Sequence, residues 1–223
     1  MDTKTHRLVM TKVLISLYKN KDLSDKLGFK GGTCAMFFYD LPRFSVDLDF
    51  DWLRGDHKRY LNILEEELSK FGKITDKKDK FYTIYYELNY KPGKRNLKIE
   101  ISKRGASGDF VTQNFMGENI LIMSQSDLFT NKMIALLNRK NITNRDIFDI
   151  RYFLQLGVDL NPKLIETKTN QIFSDYIGQV KQFISNYDFQ KVLYGLGELI
   201  DSNQKQFAKT KMKAQILGYL DFL

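Results

Sequence analysis

Three aspartates alternate with apolar residues along Val46-Asp47-Leu48-Asp49-Phe50-Asp51. Successive side chains of a strand point to opposite faces, so Asp47, Asp49 and Asp51 would share one face, with Leu48 and Phe50 buried behind. Like charges that close repel, and a divalent cation would relieve the repulsion. Oxygen donors alone suit Mg2+, which keeps waters and phosphate oxygens in its shell. The plain alternative is an exposed acidic strand edge. A second alternating run, Leu97-Lys98-Ile99-Glu100-Ile101, puts Glu100 on the polar side of its own strand. If the two strands are neighbours, Glu100 joins Asp47 and Asp49, and three carboxylates on two strands can hold two metal ions about 3.5–4 Å apart. Upstream stands Gly31-Gly32-Thr33. Glycines let a backbone approach a ligand closely, and free amides at a helix start bind phosphate. The Thr33 hydroxyl could add a contact or could simply cap the helix.

These residues need elements to hold them. Residues 5–18 carry Leu8, Val9, Val13, Leu14, Leu17 and Tyr18 at helical spacing. Cys34 to Tyr39 reads as a short buried helix, Leu41-Pro42-Arg43 as a turn and Val46 to Trp52 as a strand. His57 to Phe71 reads as a surface helix. Phe81 to Tyr90 and Leu97 to Ser102 are strand runs joined at Lys91-Pro92-Gly93-Lys94, and Ile120 to Met123 is a further short strand. Beyond it the texture turns helical. Ser124 to Asp127 resembles a capping box opening a helix to about Arg139. Asn144 to Leu156 is a second helix, and three or four more follow from Pro162. The expected organisation is an α/β unit over 1–123 and a helical unit over 124–223.

The 223 residues include 35 Lys+Arg against 27 Asp+Glu, for a net charge of +8. This excess admits a polyanionic partner without requiring one. Basic clusters at Lys91 to Arg104 and at Lys205, Lys209, Lys211 and Lys213 could meet phosphates or could be solvated faces. One cysteine, Cys34, excludes an intrachain disulfide framework and a Cys-rich zinc site, and two histidines argue against a His-based metal centre. Any metal should sit on carboxylates. No apolar run is long enough to span a bilayer, and no signal-peptide core is present. The expected setting is therefore cytoplasmic, with no membrane partner.

The stretch from Lys30 to Phe50, KGGTCAMFFYDLPRFSVDLDF, closely resembles the signature of the AbiEii/AbiGii toxin family of nucleotidyltransferases, within the DNA polymerase β-like superfamily. In that pattern a Gly-Gly/Ser-type turn, here Gly32 and Thr33, precedes an Asp-x-Asp strand, here Asp47 and Asp49. Thr33 stands where many members have Ser, and Glu100 resembles a third carboxylate that is often Asp. Lys132-Met133-Ile134-Ala135 is similar to a Lys-Leu-x-Ala helix motif, and the run from Lys140 through Arg145 to Asp146 fits a later basic–Asp motif. The resemblance spans about 30–150. It implies an α+β fold: an N-terminal polymerase β-like nucleotidyltransferase core with a mixed sheet, then a C-terminal helical bundle. It implies catalytic roles for Asp47, Asp49, Glu100, Lys132 and Asp146. Asp47, Asp49 and Glu100 would hold Mg2+, in a site for two ions. Gly31, Gly32, Thr33, Lys132 and Arg145 would meet the phosphates of an NTP, with Lys140 a further candidate. The implied acceptor is RNA, plausibly tRNA, and the implied protein partner a cognate antitoxin.

Other functions remain compatible with parts of the pattern. Small-molecule nucleotidyl transfer or phosphoryl transfer to protein could use the same scaffold. A non-catalytic nucleic-acid-binding module would suit the charge but leaves the three acids unexplained. An Asp-x-Asp glycosyltransferase shares the metal dyad but requires neither Gly31-Gly32-Thr33 nor the Lys132 and Asp146 motifs.

Overall fold

The computed structural model describes residues 2–139 and 143–223. The chain divides into two compact units. The first runs through Asp40 and resumes at Phe44–Ser124; the second comprises Leu41–Arg43 and the chain from Gln125 onward.

The first unit opens on helix α1 (Thr3–Lys19), started by Asp2, whose carboxylate accepts from the Thr5 N–H at 3.1 Å. His6, Met10, Val13, Leu14 and Leu17 form one fully buried stripe along it, the i, i+4, i+7 spacing that defines a helix face. Strand β1 (Leu27–Lys30) leads directly into α2 (Gly31–Phe38), followed by β2 (Asp47–Trp52). The expected surface helix from His57 is a 3-10 turn (His57–Tyr60) continued by α3 (Leu61–Ser69). Strands β3 (Lys73–Asp79), β4 (Thr83–Asn89), β5 (Leu97–Ser102), β6 (Phe110–Phe115) and β7 (Glu118–Met123) complete the unit.

The strands form one seven-stranded mixed sheet in the order β3-β4-β5-β2-β1-β7-β6. The β2–β5 and β1–β7 pairs are parallel and the remainder antiparallel. Alternation decides the faces. Leu48, Phe50, Ile84, Tyr86, Leu88, Leu97, Ile99 and Ile101 are buried, and the residues between them on β4 and β5 are not. Burying each such side chain favours folding by roughly 1.5–3 kcal/mol, which locks the register: a one-residue slip would turn the whole apolar set outward.

The second unit is helical: α4 (Gln125–Asn138), α5 (Asn144–Gln155), α6 (Pro162–Thr169), α7 (Phe173–Asn186), α8 (Ser202–Thr210) and α9 (Met212–Leu220). Helix α5 packs on α4 and α9, burying Ile147, Phe148, Ile150 and Phe153. Polar ties fix the packing. The Tyr176 hydroxyl donates to the Met133 carbonyl at 2.9 Å, and the Arg151 guanidinium donates to Gln215 Oε1 from Nη2 at 2.8 Å. No helix among the described residues is long and apolar enough to cross a membrane.

Candidate active site

In the first unit, β2 and β5 lie side by side. Asp49 is in register with Glu100, Asp47 with Lys98 and Asp51 with Ser102. Paired residues of neighbouring strands point to the same face, so Asp47, Asp49 and Glu100 share one. Asp47 and Asp49 are half-buried and Glu100 is exposed.

The backbone beneath Asp47 is held from two helices. The Thr33 hydroxyl of α2 donates to the Asp47 carbonyl at 2.5 Å. His6 of α1 reaches the preceding carbonyl, Val46 O, with Nε2 at 2.8 Å, while its Nδ1 lies 2.7 Å from the Tyr90 hydroxyl. A carbonyl only accepts, so Nε2 carries the proton and Nδ1 accepts from Tyr90. Thr33 is fully buried, and its hydroxyl joins α2 to β2. His6 was not singled out by its sequence; the available signal was its place on the α1 apolar stripe, four residues before Met10.

Asp49 meets the start of α2. Gly31 has φ +80, and a Cβ there would stand 2.3 Å from Asp49 Oδ2. Only glycine allows both the left-handed backbone and this approach. The helix takes no hydrogen bond from its N-cap side chain, Lys30, so Asp49 sits at the positive end of a helix left uncapped by that residue. Gly31→Ala is therefore expected to lower stability by about 1–3 kcal/mol for the backbone alone, with the overlap adding to it. Chemical denaturation against wild type checks this, and an unchanged midpoint would refute it.

Asp51 goes elsewhere. It is fully buried. It accepts from Lys30 Nζ at 2.5 Å and the Ser107 N–H at 2.8 Å, with the Ser107 hydroxyl as a third donor. The three-aspartate face read from alternation thus contains two half-open acids and one closed ion pair. Among the described residues, no three His, Cys, Asp or Glu side chains are gathered tightly enough to hold a metal by themselves. Mg2+ asks for less: one or two carboxylates plus substrate phosphates and waters. Asp47, Asp49 and Glu100 fit that requirement.

His6 carries a pH signature. Burial is the main influence and pushes its imidazole below the ordinary value, against the Val46 carbonyl, which favours the proton. The folded state therefore refuses a proton that the unfolded chain binds below about pH 6.5. Stability from this residue is complete above that value and falls as the pH drops through it, until the folded imidazole also titrates. Urea midpoints at pH 5 and 7.5 should differ in that sense, and His6→Gln should flatten the difference.

In the second unit, Lys132 of α4 faces Asp149 and Asp146 of α5, one turn apart. Its ammonium is 2.5 Å from Asp149 Oδ2 and 3.6 Å from Asp146 Oδ1. Asp149 is fully buried. It accepts a bidentate pair from Arg43, Nε at 2.5 Å and Nη2 at 2.6 Å. Asp146 accepts from Arg139 Nη1 at 2.6 Å and from the Thr143 hydroxyl at 2.5 Å. Burial would raise the Asp149 carboxyl, but the charges and hydrogen bonds of Arg43 and Lys132 outweigh it and hold the group below its usual range. The result is an alternating chain, Arg43–Asp149–Lys132–Asp146–Arg139. The sequence pointed to Lys132 and Asp146 but not to Asp149 or Arg43; the i, i+3 spacing of Asp146 and Asp149 on one helix was the usable signal. Arg145 is half-exposed and stands outside this network among the described residues, and Lys140 lies outside the described residues.

The fold resembles known structures at low identity. JHP933 from Helicobacter pylori superposes with a TM-score of 0.59 at 20% identity, over 99% of this chain and 94% of that one. A second Helicobacter pylori structure gives 0.61 at 21% identity, over 99% and 96%. An antigenic nucleotidyltransferase-like protein from Paracoccidioides brasiliensis gives 0.51 at 19% identity, over 82% and 91%. No curated protein matches the sequence significantly. The family described as "Nucleotidyl transferase AbiEii toxin, Type IV TA system" matches residues 13–213. With nearly the whole chain matched, and with Gly31-Gly32-Thr33 opening α2 against the Asp-x-Asp strand and Glu100 on the next strand, the protein belongs to the AbiEii nucleotidyltransferase toxin family of type IV toxin–antitoxin systems.

Proposed function

We propose that the protein transfers a nucleotide from an NTP to a hydroxyl of RNA (tRNA), using Mg2+ held by Asp47, Asp49 and Glu100. The observation that carries this reading is the register of Asp49 with Glu100 on adjacent parallel strands, beside a helix start that packs on Asp49 at Gly31. Asp47 and Asp49 would hold the metal-bearing triphosphate, and the amides at the start of α2, where Gly31 meets Asp49, would donate to the phosphates. Glu100, the more exposed acid, would accept the proton of the attacking hydroxyl. The new bond joins the acceptor oxygen to the α-phosphorus, and the bond from that phosphorus to the pyrophosphate oxygen breaks. Bound Mg2+ would supply charge neutralisation for the triphosphate and for the leaving pyrophosphate. The ion-paired state of Lys132 favours a positioning role in the helical unit over direct neutralisation of substrate. The family's place in toxin–antitoxin systems supports a cognate antitoxin as partner.

The test is to incubate the protein with Mg2+, each α-labelled NTP and total RNA. Label should enter RNA with wild type, disappear on chelation with EDTA, and fall sharply in Glu100→Gln. Label that persists in EDTA, or no label with any NTP, would count against the assignment.

A further inference from the structure

Four strands carry one row of residues across the sheet: Asp49 on β2, Glu100 on β5, Tyr85 on β4 and Lys78 on β3, each in register with the next. Adjacent strands are about 4.8 Å apart, so Tyr85 stands about 5 Å beyond Glu100 and about 10 Å beyond Asp49. The row changes character along its length, from acidic to aromatic and basic. None of the residues on this face of β4 and β5 is buried.

The aromatic end is unusual for a surface. The Lys78 and Lys80 ammoniums lie 5.7 and 5.6 Å from the centre of the Tyr85 ring, with Lys78 also held by Asp76 at 2.5 Å. In the turn just before β4, Phe81 and Tyr82 meet edge to face at 4.4 Å and are 83% and 50% exposed. The Arg104 guanidinium lies 4.3 Å from the Tyr82 ring centre. Lys80 and Arg104 rest on rings, and neither has a carboxylate partner among the described residues. Rings this exposed contribute little to a core. Solvent-facing rings interleaved with unneutralised cations are what a single strand of nucleic acid needs: stacking for its bases and charge for its phosphates.

Direction follows from the transfer reading, on which this inference rests. The nucleotide would occupy the β2 and α2 side of Glu100, where Gly31 meets Asp49. An attacking hydroxyl must come from the other side, and its nucleoside then reaches one or two strands outward, over β4 and β3. We propose that this face binds the single-stranded end of the RNA acceptor, with Tyr85 stacking on the base nearest the reacting hydroxyl and Phe81 and Tyr82 taking bases farther along. Lys80 and Arg104 would contact the intervening phosphates.

The experiment measures binding of a fluorescein-labelled single-stranded RNA 12-mer by anisotropy, without NTP or metal, at several salt concentrations. Phe81→Ala/Tyr82→Ala should weaken binding about tenfold or more, and Tyr85→Leu by a similar factor. Lys80→Gln/Arg104→Gln should reduce the salt slope by about 1.4, at about 0.7 per lost phosphate contact. Ultraviolet cross-links from the bound RNA should map to the peptide containing Phe81 and Tyr82. Wild-type-like affinity in Phe81→Ala/Tyr82→Ala, cross-links elsewhere, or no binding by wild type would each overturn the proposal. Because Phe81 and Tyr82 are so exposed, that variant should melt as wild type does, so weaker binding is not a folding defect even if Tyr85→Leu is less stable. The catalytic reading is judged separately: label transfer surviving in Asp49→Asn would refute it whatever the binding data show.

Discussion

Asp149→Asn is expected to destabilise the helical unit by about 3–5 kcal/mol, the usual cost of removing one partner of a buried ion pair. Asp149 is fully buried between the Arg43 guanidinium and the Lys132 ammonium. An asparagine of nearly the same shape could keep some hydrogen bonds, but it would remove the one negative charge that the Arg43 and Lys132 cations share. The cost therefore comes from the charges left behind, and this can be tested by removing them. Replacing all three by apolar residues, as Arg43→Met/Lys132→Met/Asp149→Leu, should recover much of the loss, because no unpaired charge then remains inside. If Asp149→Asn alone melts as wild type does, the network is solvent-accessible and the account fails. The pH dependence has a definite sign. The folded carboxyl is held below the unfolded value of 3.8, so its stabilisation is complete above about pH 4 and is lost as the pH falls through the depressed folded value. Acid unfolding of wild type should begin at a lower pH than it would if Asp149 titrated normally.

The same residues show what a linear reading can reach. Asp47, Asp49 and Glu100 were legible because each lies in a period-two run whose apolar members fix the face, and apolar burial then fixes the register. Asp51 shares that alternation, so nothing local separates it from its neighbours; only Lys30 and Ser107, 21 and 56 residues away in the chain, turn it into a closed ion pair. Thr33 is similar. A hydroxyl after two glycines fits a phosphate contact or a helix cap equally well, and tertiary packing gave it the Asp47 carbonyl. The α+β architecture with a mixed sheet was implied by the family resemblance, and the shift in texture near residue 124 marked where strands give way to helices, yet β1, β3 and β6 were missed. Strands β3 and β6 are the two sheet edges. Lys73–Asp79 is nearly all polar and Phe110–Phe115 is exposed at four central positions, so neither carries the hydrophobic alternation by which strands are recognised. Strand β1 is four residues long and buried throughout most of its length, too short for any period. Arg43 and Asp149 lie 106 residues apart, and no spacing rule joins them.

Asp49→Asn is expected to abolish transfer while leaving the fold intact, and that combination is its diagnostic value. The substitution keeps the shape that fits against Gly31, so the start of α2 need not move. It removes one negative charge from a face where Asp47 and Glu100 remain, and relieving like-charge repulsion across paired strands favours the folded state by a few tenths of a kcal/mol to about 1 kcal/mol. The lost attraction between Asp49 and the positive helix end opposes this by about 0.3–1 kcal/mol. The two effects nearly cancel, so the denaturation midpoint should stay close to that of wild type. Catalysis has no such compensation. An amide oxygen is neutral and lacks the negative charge that a carboxylate brings to Mg2+. Losing several kcal/mol of charge stabilisation in the transition state corresponds to a fall in rate of about 10^3-fold or more, at about 1.36 kcal/mol per decade. Single-turnover transfer of labelled nucleotide, measured beside a denaturation curve, separates the outcomes. An inactive protein with a normal midpoint places Asp49 in the chemistry. A large fall in both would mean that Asp49 mainly secures the turn into α2, and an active Asp49→Asn would remove the carboxylate pair from the reaction altogether.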